Sequence, residues 1–469
     1  MFCLFLHIGR ILEKEADILF MPLGLPMLAG VLDDNGFEAR IFNSAAAGVM
    51  GGPSIKELII KYKPKIIAAP IHWHQQLPFV LEKIKEIKKD FPDIPIVSGG
   101  FTASYFSKEI MSQRNSPDFI IRGDGEKPLL ELAKCISRGG DYSKVPNLVW
   151  KKPHDGKTEI MTNPLDYVAD GDKMSMLNYA RYDLVINKNQ CMHNVFFADL
   201  TKDEHKTLIN NPLRKIVFYN PGRGCPYMCS YCGGNCKAQK IINGRSGFFF
   251  KSVESALKDI KGFISQGFDL VHICFDPDPK RTFYFDLFLR LRQENIKIAC
   301  VFEAYGCPDF EFLDAFALTF KDNLAHCRFT LSPESFSEKT RNLHKNPFYT
   351  NTELLRAVVY ARNLGIPFEL SFMSSLPEET MDDYYKTLRF AKKCQDIYGC
   401  EVNMGAVTLE PASPMYENPQ SFGIKTFNKG FESFLEKHNK HSIDWELKDR
   451  KNGNVGKLKE KFNAEMENN

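Results

Sequence analysis

"KIVFYNPGRGCPYMCSYCGGN", residues 215–235, decides how this chain is read. Its first six residues have the β-branched and aromatic make-up of a buried strand. The chain then runs straight into a loop carrying Cys225, Cys229 and Cys232. Thiols this close cross-link a secreted fold, grip a metal, or are incidental. Thirteen cysteines, an odd number scattered apart from this group, suit a reducing cytoplasm better than a disulfide framework. Metal binding is the reading that remains beside the incidental one. Soft thiolates take zinc, copper(I) or iron–sulfur clusters. A structural zinc site usually draws on two separated ligand pairs, whereas the spacing here is C-x3-C-x2-C with no second pair and no closing histidine. Three thiolates on a four-iron cluster leave one iron with an open position. Cys236, four residues on, is the alternative fourth ligand.

Strand and helix signals alternate on both sides of the loop. Before it, "MFCLFLHI" (1–8), "FEARIFNS" (37–44), "IIAAPI" (66–71), "IPIVSGG" (94–100) and "PDFIIRGDGE" (117–126) are strand-like. Helical patterns at 22–36, 54–65, 77–92 and 127–139 separate them. Such alternation implies a doubly wound parallel sheet, whose ligands sit at the carboxyl ends of the strands. Those ends are His7–Arg10, Ala69–His74, Ser98–Thr102 and Gly123–Glu126. After the loop, strands are expected at 269–275, 297–303, 326–332, 367–373 and 400–410, with helices at 252–266, 283–294, 310–319, 351–364 and 380–394. Counting the strand before the loop, that makes a partial (β/α)6 barrel rather than an eight-fold one. The fold class is therefore α/β, with a doubly wound domain over 1–139 and a barrel over 215–425. Residues 140–214 read as an interdomain linker with little regular structure, and 426–469 as a polar, mobile tail.

The loop, with Tyr231 just before its third cysteine, resembles the signature of the radical S-adenosylmethionine enzymes. The resemblance implies that Cys225, Cys229 and Cys232 hold a 4Fe–4S cluster whose open iron is chelated by S-adenosylmethionine, with Tyr231 near the adenine. It also implies a reductant such as flavodoxin or ferredoxin, whose electron cleaves the sulfonium to a 5′-deoxyadenosyl radical that abstracts hydrogen. Later fragments follow in matching order. "CFDPDP" (274–279) falls where the family contacts the methionine amino group, often through Gly-Gly-Glu, so Asp276 or Asp278 is the substitute. Ser332 and Glu334 in "LSPES" match polar contacts to the methionine or ribose. "FMSSLPEET" (372–380) is similar to a Gly-x-Pro-x-Glu-Thr turn with Ser375 in place of glycine, and "LEPASPMY" (409–416) resembles the sixth strand end.

The first domain resembles the cobalamin-binding domain that precedes the barrel in one subclass of this family. The matching stretches are 22–43, 94–104 and 117–133, and Ser98, Gly99 and Gly100 match the turn that accommodates the nucleotide tail. The Asp-x-His-x-x-Gly motif that supplies a lower axial histidine elsewhere is absent; His72 and His74, around Trp73, occupy a strand end without that spacing. The resemblance thus implies a cobalamin-dependent radical enzyme that methylates an unactivated carbon, with oxygen excluded. A cobalamin-free radical enzyme (a cyclase, or a methylthiotransferase-like one) and a non-catalytic cluster or cobalamin carrier are the alternatives. Methylthiotransferases carry extra cluster cysteines early in the chain, where residues 1–150 hold only Cys3 and Cys135.

Composition bounds the rest. A hydrophobic fraction of 43% with 25% charged residues is that of a globular protein, and a net charge of +3 gives no argument for nucleic acid. The apolar opening lacks a basic n-region, "GFFFK" at 247–251 reads as a buried edge rather than a lipid contact, and no run spans a bilayer, so a cytoplasmic location is expected. Glu303, Tyr305 and Asn403 are expected to line the barrel mouth; nothing names the substrate as small molecule, lipid or peptide.

Overall fold

The computed structural model describes residues 1–155, 157–192, 200–210, 214–424 and 430–437. They form two compact units, one drawn from 1–224, 238–271 and 430–437, the other from 225–237 and 272–424.

The seven-stranded sheet of the first unit runs Glu38–Asn43, Phe2–His7, Ile66–Ala68, Ile96–Ser98, Phe119–Ile121, Leu148–His154, Lys157–Thr162. The first five are parallel, in the spatial order 2-1-3-4-5. Cys3 to His7 are all buried, because crossover helices cover both faces of a parallel sheet. Helix Ile55–Tyr62 starts in a reciprocal cap, with Ser54 accepting from Glu57 N–H and Glu57 accepting from Ser54 N–H, and it stops at left-handed Lys63 ahead of Pro64. Helix Leu77–Asp90 buries Leu77, Val80, Leu81, Ile84 and Ile87 at helical spacing and carries Lys88 and Lys89 in its last turn, as its dipole favours.

Residues 140–214 differ from the irregular linker expected of them. Leu148–His154 and Lys157–Thr162 form an antiparallel hairpin that extends the sheet beyond Phe119–Ile121. Its signal was present: "NLVW" and "EIMT" are β-forming runs around Asp155-Gly156, a hairpin-turn dipeptide. "GFFFK" supplies strand Phe248–Phe250, half-buried and paired antiparallel to Gly222–Gly224. Gly224 has φ +95 and a Cβ there would collide with Gly247 O, so only glycine allows that pairing. Of the tail, 426–429 and 438–469 lie outside the described residues, as does residue 425 at the end of the barrel. Residues 430–437 do not behave as a free end: Phe434 is buried among Phe106 and His74.

The second sheet follows chain order: Ile216–Tyr219, Leu270–Ile273, Ala299–Ala304, Arg328–Glu334, Phe368–Ser374, Glu401–Ala406. The last four strands are parallel; helix Thr282–Gln293 precedes them and helices Phe310–Phe320, Asn351–Asn363 and Met381–Tyr398 fall between them, as in a partial barrel. Alternation sorts the side chains. Phe302, Phe329 and Phe368 stack at 5.4 and 5.5 Å, and Phe302 and Phe329 pack on Phe312 of a covering helix. The register Glu303↔Thr330↔Glu369↔Glu401 sets polar residues on the opposite face.

Candidate active site

The cysteine loop is pinned by its own backbone. Ser230 N–H donates to His344 O (2.9 Å) and Met415 N–H donates to Ser230 O (2.9 Å). Ser230 Oγ lies 2.7 Å from His344 Nδ1, and His344 Nε2 lies 2.7 Å from Pro377 O. A carbonyl only accepts, so Nε2 carries the proton and Nδ1 accepts from the serine; burial lowers the histidine pKa and keeps this neutral form. Asn235 Nδ2 bonds Cys232 O (2.6 Å) and Ala412 O (3.2 Å), while a Cβ on Gly233 would stand 2.5 Å from Pro411 O. The stretch 409–416 thus packs directly on the loop.

Cys225, Cys229 and Cys232 are free thiols, each half-buried. Gly234 N–H points at Cys232 Sγ (3.3 Å) and Asn346 N–H at Cys229 Sγ (3.4 Å), donors suited to anionic sulfur. Burial pushes Cys225 up to about 11 and Cys232 up to about 12, and each also feels the repulsion of Cys229. Three thiols that disfavour one another's charge, with N–H donors aimed at two of them, fit a cationic cluster. Cys236 begins helix Cys236–Asn243, and its N–H bonds Tyr227 O (2.8 Å).

Beyond the loop, Tyr231 donates its hydroxyl to Glu334 Oε1 (2.7 Å), and Lys345 Nζ donates to the same oxygen (3.2 Å). Burial, then the Glu334 carboxylate, holds the Tyr231 phenol protonated. The structure therefore joins two of the expected residues, Tyr231 and Glu334, and adds Lys345, which no sequence pattern marked. Ser332 is half-buried and makes no side-chain hydrogen bond among the described residues. Asp276 is engaged otherwise than expected: Arg281 donates to it from Nε (3.0 Å) and Nη2 (2.7 Å), and Tyr305 N–H donates to it (3.0 Å). A buried carboxylate so saturated is a clamp between strand ends. Asp278 accepts from Lys280 and Thr282 N–H and starts a helix.

Ser375 explains its own turn. It sits at φ +66, where a family glycine is expected, and Glu379 Oε2 accepts its N–H (3.0 Å). Glu334 (φ +62) and Ala412 (φ +68) are likewise left-handed. Strain of this kind clusters where a scaffold serves a function.

In the first unit, the strand order reverses between Phe2–His7 and Ile66–Ala68, the switch point at which open α/β sheets bind ligands. His72 lies there with an exposed side chain, and desolvation by the surrounding protein lowers its pKa, which favours the neutral form. His7 is fully buried, its Nε2 donating to Ile18 O (2.7 Å), while its Nδ1 has no partner among the described residues. The open strand end at His72, with its imidazole neutral, fits a corrin and its metal. Trp73 packs edge-on against His72 and Phe20, and His74 against Phe434. Ser98 Oγ donates to Ala69 O (2.7 Å). Gly100 has φ +95, and a Cβ there would stand 2.9 Å from Ile71 O, so this turn's small residues serve the chain's own close packing. Asp124 and Glu126, from "GDGE", both bind Arg223 of the strand leading to the cysteines, and Asp124 also pairs with Arg245.

Two family models match the chain: the B12 binding domain over residues 10–133 and the radical SAM superfamily over residues 219–391. The chain carries a B12-binding domain followed by a radical SAM domain. Such a protein takes a 4Fe–4S cluster with S-adenosylmethionine, and cobalamin. It is 25% identical over 227 residues to the anaerobic magnesium-protoporphyrin IX monomethyl ester cyclase of Synechocystis sp., covering 48% of this chain and 40% of the cyclase. It is 23% identical over 271 residues to the hopanoid C-3 methylase of Methylococcus capsulatus, covering 58% and 45%. The chain thus spans less than half the length of these two curated relatives. The radical S-adenosylmethionine methyltransferase TsrM of Kitasatospora setae, solved with cobalamin and a 4Fe–4S cluster, shares the fold at TM-score 0.63 and 17% identity, over 91% of this radical SAM protein and 76% of TsrM. No helix among the described residues is long and apolar enough to cross a membrane.

Proposed function

We propose that this protein is a cobalamin-dependent radical enzyme that transfers a methyl group to an unactivated carbon. The observation that carries the reading is the B12-binding sheet and the three-cysteine loop on one chain. When bound, the cluster with S-adenosylmethionine supplies a hydrogen-abstracting 5′-deoxyadenosyl radical and cobalamin supplies the methyl group. Cys225, Cys229 and Cys232 hold the cluster. Tyr231 bounds the adenine, and Glu334 and Ser332 orient the methionine or ribose, Lys345 fixing Glu334. The strand ends around His72 receive cobalamin, with its nucleotide tail at the Ser98–Gly100 turn. The reductant is of the flavodoxin or ferredoxin kind.

The test is anoxic reconstitution with iron, sulfide and hydroxocobalamin, then reductant and methyl-labelled S-adenosylmethionine in a metabolite extract. The reading expects bound corrinoid, 5′-deoxyadenosine, S-adenosylhomocysteine and label in a carbon-methylated product. The cyclase relative makes ring closure the second reading; 5′-deoxyadenosine with no label transferred would favour it. Absence of both nucleoside products would sink both.

A further inference from the structure

His272 and Cys274 stand two residues apart at the end of strand Leu270–Ile273, and Glu303 on strand Ala299–Ala304, its neighbour in the sheet. One ligand atom from each, a ring nitrogen, Sγ and a carboxylate oxygen, lies within 4.8 Å of the other two. His272 Nε2 is 2.7 Å from Glu303 Oε1. None of the three belongs to the cysteine loop; Cys274 opens the "CFDPDP" stretch, whose expected contact to S-adenosylmethionine falls on Asp276 or Asp278 instead.

We propose that His272, Cys274 and Glu303 form a second metal site, for one zinc-like divalent cation with an open fourth position. The donor set selects the ion: hard magnesium and calcium avoid thiolate, whereas zinc accepts nitrogen, sulfur and oxygen together. Three protein ligands leave the fourth position to water or to a nitrogen, oxygen or sulfur of a substrate, which the cation would hold and polarise. Charge agrees: among the described residues the only ion-pair partner of Glu303 is His272. The framework is rigid. Tyr305 donates its hydroxyl to Cys274 O (3.1 Å), its N–H is held by Asp276, and Asp276 is clamped by Arg281. The backbones carrying Cys274 and Glu303 are therefore tied together, as a preorganised site requires.

The proposal is independent of the radical reading and is tested without activity. The full-length protein is loaded with zinc and, separately, cobalt(II), and its zinc, cobalt and iron contents are measured beside its visible spectrum. Expected are about one zinc per chain in addition to cluster iron and a thiolate-to-cobalt charge-transfer band. Cys274→Ser should abolish the band, and Glu303→Gln, nearly isosteric, should weaken zinc binding at least about tenfold; both should keep their iron. To separate this thiolate from the others, the measurements are repeated on the C225A/C229A/C232A protein, which should still take up one cobalt with the same band. The proposal is overturned if wild type holds no zinc after loading. It is overturned equally if zinc and the band survive in both variants, which would mean an adventitious ion only on other thiols.

Discussion

Ser375 adopts a left-handed backbone that costs an L-residue roughly 1–2 kcal/mol, and it persists because Glu379 takes its N–H. Glu379→Ala leaves that buried donor unsatisfied and should lower unfolding free energy by about 1–3 kcal/mol. Glu379→Gln keeps an acceptor and should lose markedly less, which urea titration of the two variants would decide. His7 supplies a pH prediction. Burial lowers its pKa from 6.5 to about 4, so the unfolded chain binds a proton that the folded one refuses. Stability is full above about pH 6.5 and falls as pH drops toward 4, by about 3 kcal/mol from this group. Denaturant midpoints should trace that fall, and a His7→Asn variant should show a flatter slope across the window. At the loop, replacing any of Cys225, Cys229 or Cys232 by alanine should remove the visible absorbance of the cluster and all S-adenosylmethionine cleavage, while Cys236→Ala should keep both. Retained cleavage in the Cys229→Ala protein would contradict the assignment.

Helix Val253–Ser265 is anchored by a buried charge. Asp259 binds Lys251, takes Tyr219 OH (3.1 Å) and accepts Tyr179 N–H (3.1 Å), while the lysine lies 4.0 Å over the Tyr179 ring. Burial lowers the lysine pKa and raises that of the aspartate, so each charge depends on the other. Lys251→Met should therefore destabilise by about 3–5 kcal/mol, and adding Asp259→Leu should recover part of it, since an apolar pair avoids desolvation. A double-mutant cycle by chemical denaturation measures the coupling. The helix-facing side of the barrel strands is apolar instead: Phe329→Ala removes a fully buried ring and should cost about 3–5 kcal/mol.

Across the molecule, the three-cysteine loop is short and held by Ser230, Asn235 and their partners, while the cores lie in the two sheets. Stripping iron with a chelator should thus abolish S-adenosylmethionine cleavage yet leave far-ultraviolet circular dichroism nearly unchanged. Loss of the helical signal along with the iron would mean that the cluster, not the sheet packing, organises the barrel. The chain's two family domains predict separate cofactor uptake as well: a C225A/C229A/C232A protein should still bind hydroxocobalamin, followed by its corrin absorbance after gel filtration.

Strand–helix alternation, the parallel sheets and the three cysteines were legible along the chain, because apolar periodicity and thiol spacing are local properties. Helix starts such as Ser54 with Glu57 could be read for the same reason. The hairpin at 148–162 carries a local signal too, two β-forming runs around Asp155-Gly156, set among polar residues that by themselves read as a linker. Other features depended on residues far apart in sequence meeting in space. Asp276 looked like a cofactor contact until Arg281 and Tyr305 occupied it, and Lys345 had no mark until it reached Glu334. His272, Cys274 and Glu303 become a ligand set only because adjacent strands bring them to one face. Sequence periodicity selects the strands, but register across a sheet is settled by packing, and register decides which side chains share a site.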